Sequence, residues 1–332
     1  MKRTTWESKE YILPAERIYG LKFFLKFCYA LVLRAIYRII FLFLKTDYKD
    51  YKYELSICAI FKNEARYLKE WIEYHKIVGI EHFYLYNNNS SDNYEEILKP
   101  YINEGVVTLI QFPGNQIQME AYRDCLSNRQ NESHWIALID IDEFIVPKFE
   151  DTLREFIKGF KNRPVVKLNW NVFGTSGKIN RDQNSLVIED FTQCWKKIDM
   201  VGKVLINSDF KFDPSYKRNI GAFHHSAWGG WRSMALPPVN CLDHICLFDF
   251  EWIGKKEIPV IINHYFTKSV SEYVEKSKKG DVFFAITPKT WQYMWGHERY
   301  CLKNDTTIHK YLSLLKLRMK DRSFNLETSE MR

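Results

Sequence analysis

Three carboxylates at the end of one apolar run are the residues best placed to do chemistry. The segment IALIDIDEFIVP sets Asp140, Asp142 and Glu143 directly after Trp135–Ile139. Alternate residues of an extended chain share a face, so Asp140 and Asp142 are expected to point to one side. Such a pair suits a hard divalent ion, Mg²⁺ or Mn²⁺, which takes one or two protein carboxylates and completes its shell with substrate phosphate oxygens. A D-x-D triplet alone also reads as ordinary surface charge. Here the buried run before it, and Phe144, Ile145 and Val146 after it, favour a site.

The elements that must position these acids can be read upstream. Leu55–Phe61 (LSICAIF) is a short apolar run suited to a buried strand. Leu68, Trp71, Ile72, His75 and Val78 then recur at helical spacing, and Gly79 ends that helix. His82–Tyr86, Val106–Gln111 and Trp135–Ile139 read as further strands, with helices before Pro100 and through Ala121–Arg129. Strand and helix alternating in this way predict a parallel sheet with right-handed crossovers. Ligands of such sheets bind beyond the carboxyl ends of the strands. Lys62, Asn63 and Glu64, the loop Asn87–Asp92, and Asp140–Glu143 all fall there and are expected to converge. Neither GxGxxG nor GxxxxGK[ST] follows the first strand, which argues against an ordinary dinucleotide or P-loop site.

With these segments in view, the chain resembles a known group. ICAIFKNEARYLKEWIEYHKIVGIEHFYLYNNNSSD followed by LIDIDEFIVP is similar to family 92-type, family 2-related glycosyltransferases. The likeness is close over 54–148 and looser through WNVFGTSGK (170–178) and NHYFTKS (263–269). It implies a GT-A fold: an α/β, Rossmann-like, mostly parallel sheet with helices on both faces. It also implies a nucleotide-sugar donor, Mn²⁺ or Mg²⁺ on the D-x-D, and a nucleoside diphosphate leaving group. On this reading Asp142 is the metal ligand proper, and Asp140 reaches the ribose or a metal-bound water. Lys62, Asn63, Glu64, Asn87, Asn88 and Asp92 line the nucleotide site. Many family 2 enzymes carry acids where this chain has Asn87 and Asn88. The base is thus less defined, with uridine as the default.

The second half must complete the site. His264, after the apolar run Val260–Ile262, is expected as a third metal ligand. Lys268, Lys276, Lys278 and Lys279 are candidates to hold the diphosphate, with Lys268 and Lys279 preferred, although a solvated helix face explains such a run equally well. Gly174, Thr175 and Ser176 offer close backbone approach and hydroxyls to an acceptor, or else form an ordinary turn. His225, Trp228 and Trp231 of HHSAWGGW offer ring faces for sugar stacking. Asp190 and Glu189 are the candidates for a catalytic base, and Asp199 is a further one. Cys241, His244 and Cys246 have poor spacing for zinc.

Charge and composition bound the remainder. At 332 residues, with 46% hydrophobic and 27% charged side chains, disorder and collagen-like structure are excluded. Seven scattered cysteines suggest a reducing compartment rather than a disulfide framework. Of the net charge of +7, +6 lies in residues 1–52, leaving a nearly neutral body and no basic stripe for nucleic acid. Leu21–Leu44 is long enough to span a bilayer, but Lys22, Lys26, Arg34 and Arg38 interrupt it. Each costs about 2.5–3.5 kcal/mol at mid-membrane. Residues 17–45 are therefore expected to lie along an anionic membrane surface on the cytoplasmic side, as a peripheral or monotopic anchor. Packing on the protein's own core is the alternative.

The expected organisation is a membrane-associating segment (1–50), a GT-A domain (51–285) and a C-terminal helical extension (286–332). Within the GT-A domain, 51–150 would be the nucleotide-sugar half and 151–285 the acceptor half. The expected activity is metal-dependent hexose transfer, with inversion favoured. The donor would be a UDP-sugar, and the acceptor a polysaccharide, lipopolysaccharide or lipid-linked glycan. The alternatives are a metal-dependent nucleotidyltransferase or phosphodiesterase, and a non-catalytic carbohydrate-binding scaffold.

Overall fold

A computed structural model describes residues 11–12, 21–46, 49–182, 184–247, 257–278 and 291–320. Helix α1 (Leu21–Phe43) precedes the body. There β1 (Tyr53–Phe61), α2 (Ala65–Ile77), β2 (His82–Asn87), α3 (Tyr94–Asn103), β3 (Val107–Gln111), α4 (Gln118–Arg129) and β4 (Ser133–Leu138) alternate as expected. Strands β5 (Glu143–Pro147), β6 (Val165–Val172), β7 (Ile198–Asn207) and β8 (Val260–His264) extend the sheet. Its spatial order is β3-β2-β1-β4-β7-β6-β8-β5. The first four strands are mutually parallel. β7 runs antiparallel to both β4 and β6, and β8 is parallel to β6 and antiparallel to β5. Helices α5 (Val270–Lys278), α6 (Trp291–Glu298) and α7 (Leu312–Lys320) follow.

Alternation along β1 shows how the sheet is sandwiched. Ile57, Ala59 and Phe61 join the core beneath α2, with Leu68, Trp71 and Ile72. Cys58 and Ile60 join a second core beneath α4, with Tyr122, Cys125 and Leu126. Period-2 strands thus meet period-3.6 helices on both faces, and the expected α/β fold is the one observed.

The first core runs across residue 150, so the two expected halves share one sheet and one interior. The C-terminal segment is a cover: α7 lies on α2, where Lys69 Nζ donates to the Met319 carbonyl at 2.7 Å. None of the seven cysteines forms a disulfide.

Helix α1 departs from the simple picture of a basic face opposite an apolar one. Ala30, Phe41 and Leu44 are buried against the body, and the Tyr37 hydroxyl donates to the Ala235 carbonyl at 3.3 Å. Arg34 turns inward, its Nε donating to the Ile245 carbonyl at 3.2 Å, so one of the four expected headgroup cations is spent on the protein. Phe24, Leu25, Val32, Ile39, Leu42 and Phe43 are each more than half exposed on the opposite side. Among the described residues, no helix is long and apolar enough to cross a membrane.

Candidate active site

Beyond the carboxyl ends of the parallel strands the first two polar clusters meet directly, and the third is linked to them through the charges of Lys268 and Lys276. Asn63 takes a left-handed conformation (φ 54°) that asparagine tolerates better than most residues. From there its Oδ1 accepts the Ser91 N–H at 2.7 Å, while its own N–H donates to Ser90 Oγ at 2.9 Å. Asp92 Oδ2 accepts the Ala65 N–H at 2.8 Å, and its buried Oδ1 has no hydrogen-bond partner. Asn87 donates to Gln111 Oε1 at 2.7 Å and accepts the Ser90 N–H at 3.0 Å. Asn88 accepts the Gly114 N–H at 3.2 Å. The two asparagines therefore shape the loop, and Asp92 keeps a spare acceptor. Lys62 and Glu64 lie at the same strand end, and the charge of Glu64 acts on both Lys268 and Lys276.

The carboxylates do not sit as a simple extended pair. The strand stops at Leu138, and the chain turns at Ile141–Asp142 before β5. Glu143 N–H closes that turn on the Asp140 carbonyl at 3.1 Å. The expected alternation fails because the backbone is no longer extended there, and each acid is held by its own partners. Asp140 accepts from Gln118 Nε2 at 2.7 Å and the Tyr122 hydroxyl at 3.0 Å, both from α4, and pairs with Lys203 Nζ of β7 at 2.7 Å. Lys203 is completely buried and also lies 3.6 Å from Glu143. Burial would lower its pKa, but Asp140 and Glu143 outweigh that and keep it charged. Burial dominates at Glu143 and pushes its carboxyl well above the usual range despite Lys203.

Asp142 is the centre of a second group. It is buried, hydrogen-bonded by Lys276 Nζ, and 3.6 Å from His264 Nε2. Burial would raise its pKa, but Lys276 and then His264 overcome this and hold the carboxyl well below its usual range. Burial lowers the His264 pKa against the pull of Asp142, which favours the neutral imidazole a metal requires. The His264 ring packs 4.6 Å from Trp170, whose other edge meets His225 at 5.2 Å. His225 Nδ1 is bound to the Gly202 carbonyl at 2.6 Å. Lys268 is buried 4.3 Å above the Tyr67 ring, and burial lowers its pKa.

Among the described residues no three His, Cys, Asp or Glu side chains form a metal-holding group. Asp142 and His264 do offer one oxygen and one nitrogen donor. That set fits a hard divalent ion whose remaining ligands come from phosphates and water. Asp140, committed to Gln118, Tyr122 and Lys203, is not a third donor in this arrangement.

Several expected residues have structural duties instead. Thr175 donates its hydroxyl to Glu298 Oε1 at 2.7 Å and its N–H to Oε2 at 3.0 Å. Ser176 Oγ accepts the Thr192 and Gln193 N–H groups at 2.9 and 3.0 Å. A Cβ on Gly174 would run into Cys301 and Glu298, so WNVFGTSGK is a joint to the C-terminal segment rather than an open sugar cradle. Trp228 meets Tyr37 of α1 edge-on at 6.1 Å, and Trp231 lies beneath Arg232 at 4.5 Å. Both tryptophans thus have protein neighbours on their rings. Glu189 pairs with Lys316 of α7, and Asp190 with Lys178 at 2.8 Å and with Ser185. Both base candidates are held by partners outside the Asp142 cluster. Lys279 lies outside the described residues.

Lys203, Gln118 and Tyr122 were not anticipated. The signal for Lys203 was a lone charge inside MVGKVLI; the other two carry none, because their role depends on where α4 lands.

A family model described as Glycosyltransferase family 92 matches residues 51–210. A family 92 protein of Oryza sativa subsp. japonica is 29% identical over 130 residues, covering 38% of this chain and 22% of the relative. The beta-1,4-galactosyltransferase galt-1 of Caenorhabditis elegans is 31% identical over 132 residues, covering 35% of this chain and 31% of the relative. The chain thus spans about a quarter to a third of the length of these two relatives. Among solved structures, S. aureus TarS 1–349 is 14% identical with a TM-score of 0.33, covering 49% of this chain and 51% of that one.

Proposed function

We propose that this protein, whose residues 51–210 match the glycosyltransferase family 92 model, transfers a hexose from a nucleotide sugar with the help of a divalent metal. The observation that carries this reading is the Asp142 centre. A buried carboxylate stands 3.6 Å from an imidazole nitrogen and is paired with Lys276, with the charge of Lys268 also acting on it, beyond the carboxyl ends of the parallel strands. Asp142 and His264 would hold Mn²⁺ or Mg²⁺, which, when bound, supplies charge neutralisation at the diphosphate. Lys268 and Lys276 add positive charge where the leaving group gains negative charge. The unpartnered Asp92 oxygen supports a base site that accepts an N–H, as a uracil would offer. A UDP-sugar is the favoured donor.

The acceptor is a glycan or lipid-linked saccharide at a membrane. The exposed apolar side of α1 supports this, with Arg38 exposed beside it for anionic headgroups. Removing residues 1–48 should abolish binding to anionic vesicles; equal binding by the shortened chain would show that α1 is not the anchor.

The decisive test is to add Mn²⁺ to the purified protein and screen UDP- and GDP-sugars for slow hydrolysis and thermal stabilisation. Stabilisation by one UDP-sugar is expected. No response from any nucleotide sugar, with folded protein and several metals tried, would overturn the reading. Metal-dependent release without sugar transfer to any acceptor would favour nucleotidyl or phosphodiester chemistry instead.

A further inference from the structure

Three lysines surround the acids of the site, and they are not equivalent. Lys203 is completely buried between Asp140 and Glu143. Lys268 is buried over Tyr67. Lys276 is different: its side chain is a quarter exposed, and it binds Asp142 Oδ2 while the other oxygen faces His264. Its remaining contacts are slight, the Phe266 carbonyl at 3.4 Å and the Phe266 ring at 5.0 Å. A lysine is a compact charge on a flexible stem, and this one projects from the second turn of α5.

We propose that Lys276 is a placeholder for the divalent ion, occupying Asp142 until metal and donor arrive and then moving to the donor's phosphates. The inference rests on the proposed function. The reason is electrostatic. A buried Asp142 without a partner would be strongly destabilising, so the ligand-free fold needs a cation on it. An ammonium and a divalent ion on one carboxylate repel each other, so the ion must displace the lysine. Metal alone competes with Lys276 and binds weakly. A diphosphate gives the displaced ammonium a new partner, so metal and donor bind with positive coupling, and the coupling is reciprocal.

The test is Mn²⁺ binding, read by calorimetry and by the spin-resonance signal of free Mn²⁺, on the full chain with and without UDP. Lys276→Met removes the competitor and should tighten Mn²⁺ binding without nucleotide by about tenfold, while reducing the enhancement given by UDP. Unchanged or weaker Mn²⁺ binding by a folded Lys276→Met protein overturns the proposal. Should that variant fail to fold, Lys276→Arg retains the charge with a forked grip on the carboxylate and should weaken Mn²⁺ binding. Unchanged or tighter binding in that variant also overturns it. Asp142→Asn separates the two levels of inference. If it abolishes Mn²⁺ binding while Lys276→Met has no effect, only the placeholder role fails. If it leaves Mn²⁺ binding intact, the metal centre fails with it. UDP-sugar turnover with no Mn²⁺ binding by any of these proteins overturns the placeholder as well, making Lys276 the resident cation.

Discussion

Asp142 and Lys203 carry opposite predictions although both are buried and paired. Asp142→Asn keeps the shape but removes the charge that a metal needs, so transfer should fall by about 10²–10³. The melting temperature should fall less than for a Lys203 variant, because Lys276 is a quarter exposed and the amide still accepts its hydrogen bond. Lys203→Met should act through the fold. It removes the cation between Asp140 and Glu143; breaking a fully buried pair costs about 3–5 kcal/mol, and the loss here should be smaller because the Asp140 side chain is 31% exposed. Chemical denaturation would measure it; an unchanged midpoint would show that Lys203 adds nothing net to stability. Asp142 was legible in the sequence because its meaning is local, an acid just beyond a buried strand. The roles of Lys203 and Lys276 were not, because each is defined by an acid 60 or more positions away. The hydroxyls of Thr175 and Ser176 misled for the same reason: their partners belong to distant segments.

The elements of the first half follow from hydrophobic period, and the four parallel strands with their helices lie where the pattern puts them. What the period does not reveal is insertion. β7 enters antiparallel between β4 and β6, with a register irregularity at Asn169/Trp170. Gly202 sits opposite that irregularity, where a Cβ would run into the Leu168 carbonyl and the Asn169 Cα. Backbone atoms cannot step aside as a flexible side chain can. Gly202→Ala should therefore destabilise by about 1–3 kcal/mol or more, and it should also disturb His225, whose ring is bound to the Gly202 carbonyl. A wild-type denaturation midpoint for this variant would contradict the close approach. For α1, helical angle found an apolar stripe but not the second face that packs on the body. The inward turn of Arg34 depends on a carbonyl at Ile245 that no local pattern announces.

Across the whole molecule, stability should peak in mildly acidic solution. Burial lowers the pKa of His134, but Asp209 and Glu54 outweigh it and raise it to about 9. Its contribution is complete below the unfolded value of about 6.5 and is lost as pH rises toward about 9. Glu272 runs the other way. Burial would raise its pKa, yet Ser269, Arg181 and Tyr67 bring it to about 2, so its contribution is lost as pH falls from the ordinary carboxylate range toward that value. Melting temperatures across pH 2–10 should fall on both sides, and His134→Gln should flatten the alkaline limb alone. An alkaline limb unchanged by that substitution would assign the loss to other groups. The position of β8 has a consequence for synthesis. Strands β5 and β6 are consecutive in sequence, yet β8 lies between them in space. The ribosome therefore delivers two apolar strand edges and then the whole of residues 173–259 before their shared neighbour exists. At about 5–20 residues per second, that is an interval of roughly 5–20 s. During that interval the nascent chain presents unpaired edges open to the wrong partner. Residues 51–210, the stretch this chain shares with its relatives, should accordingly aggregate when made alone, since they end before the strand that closes the sheet.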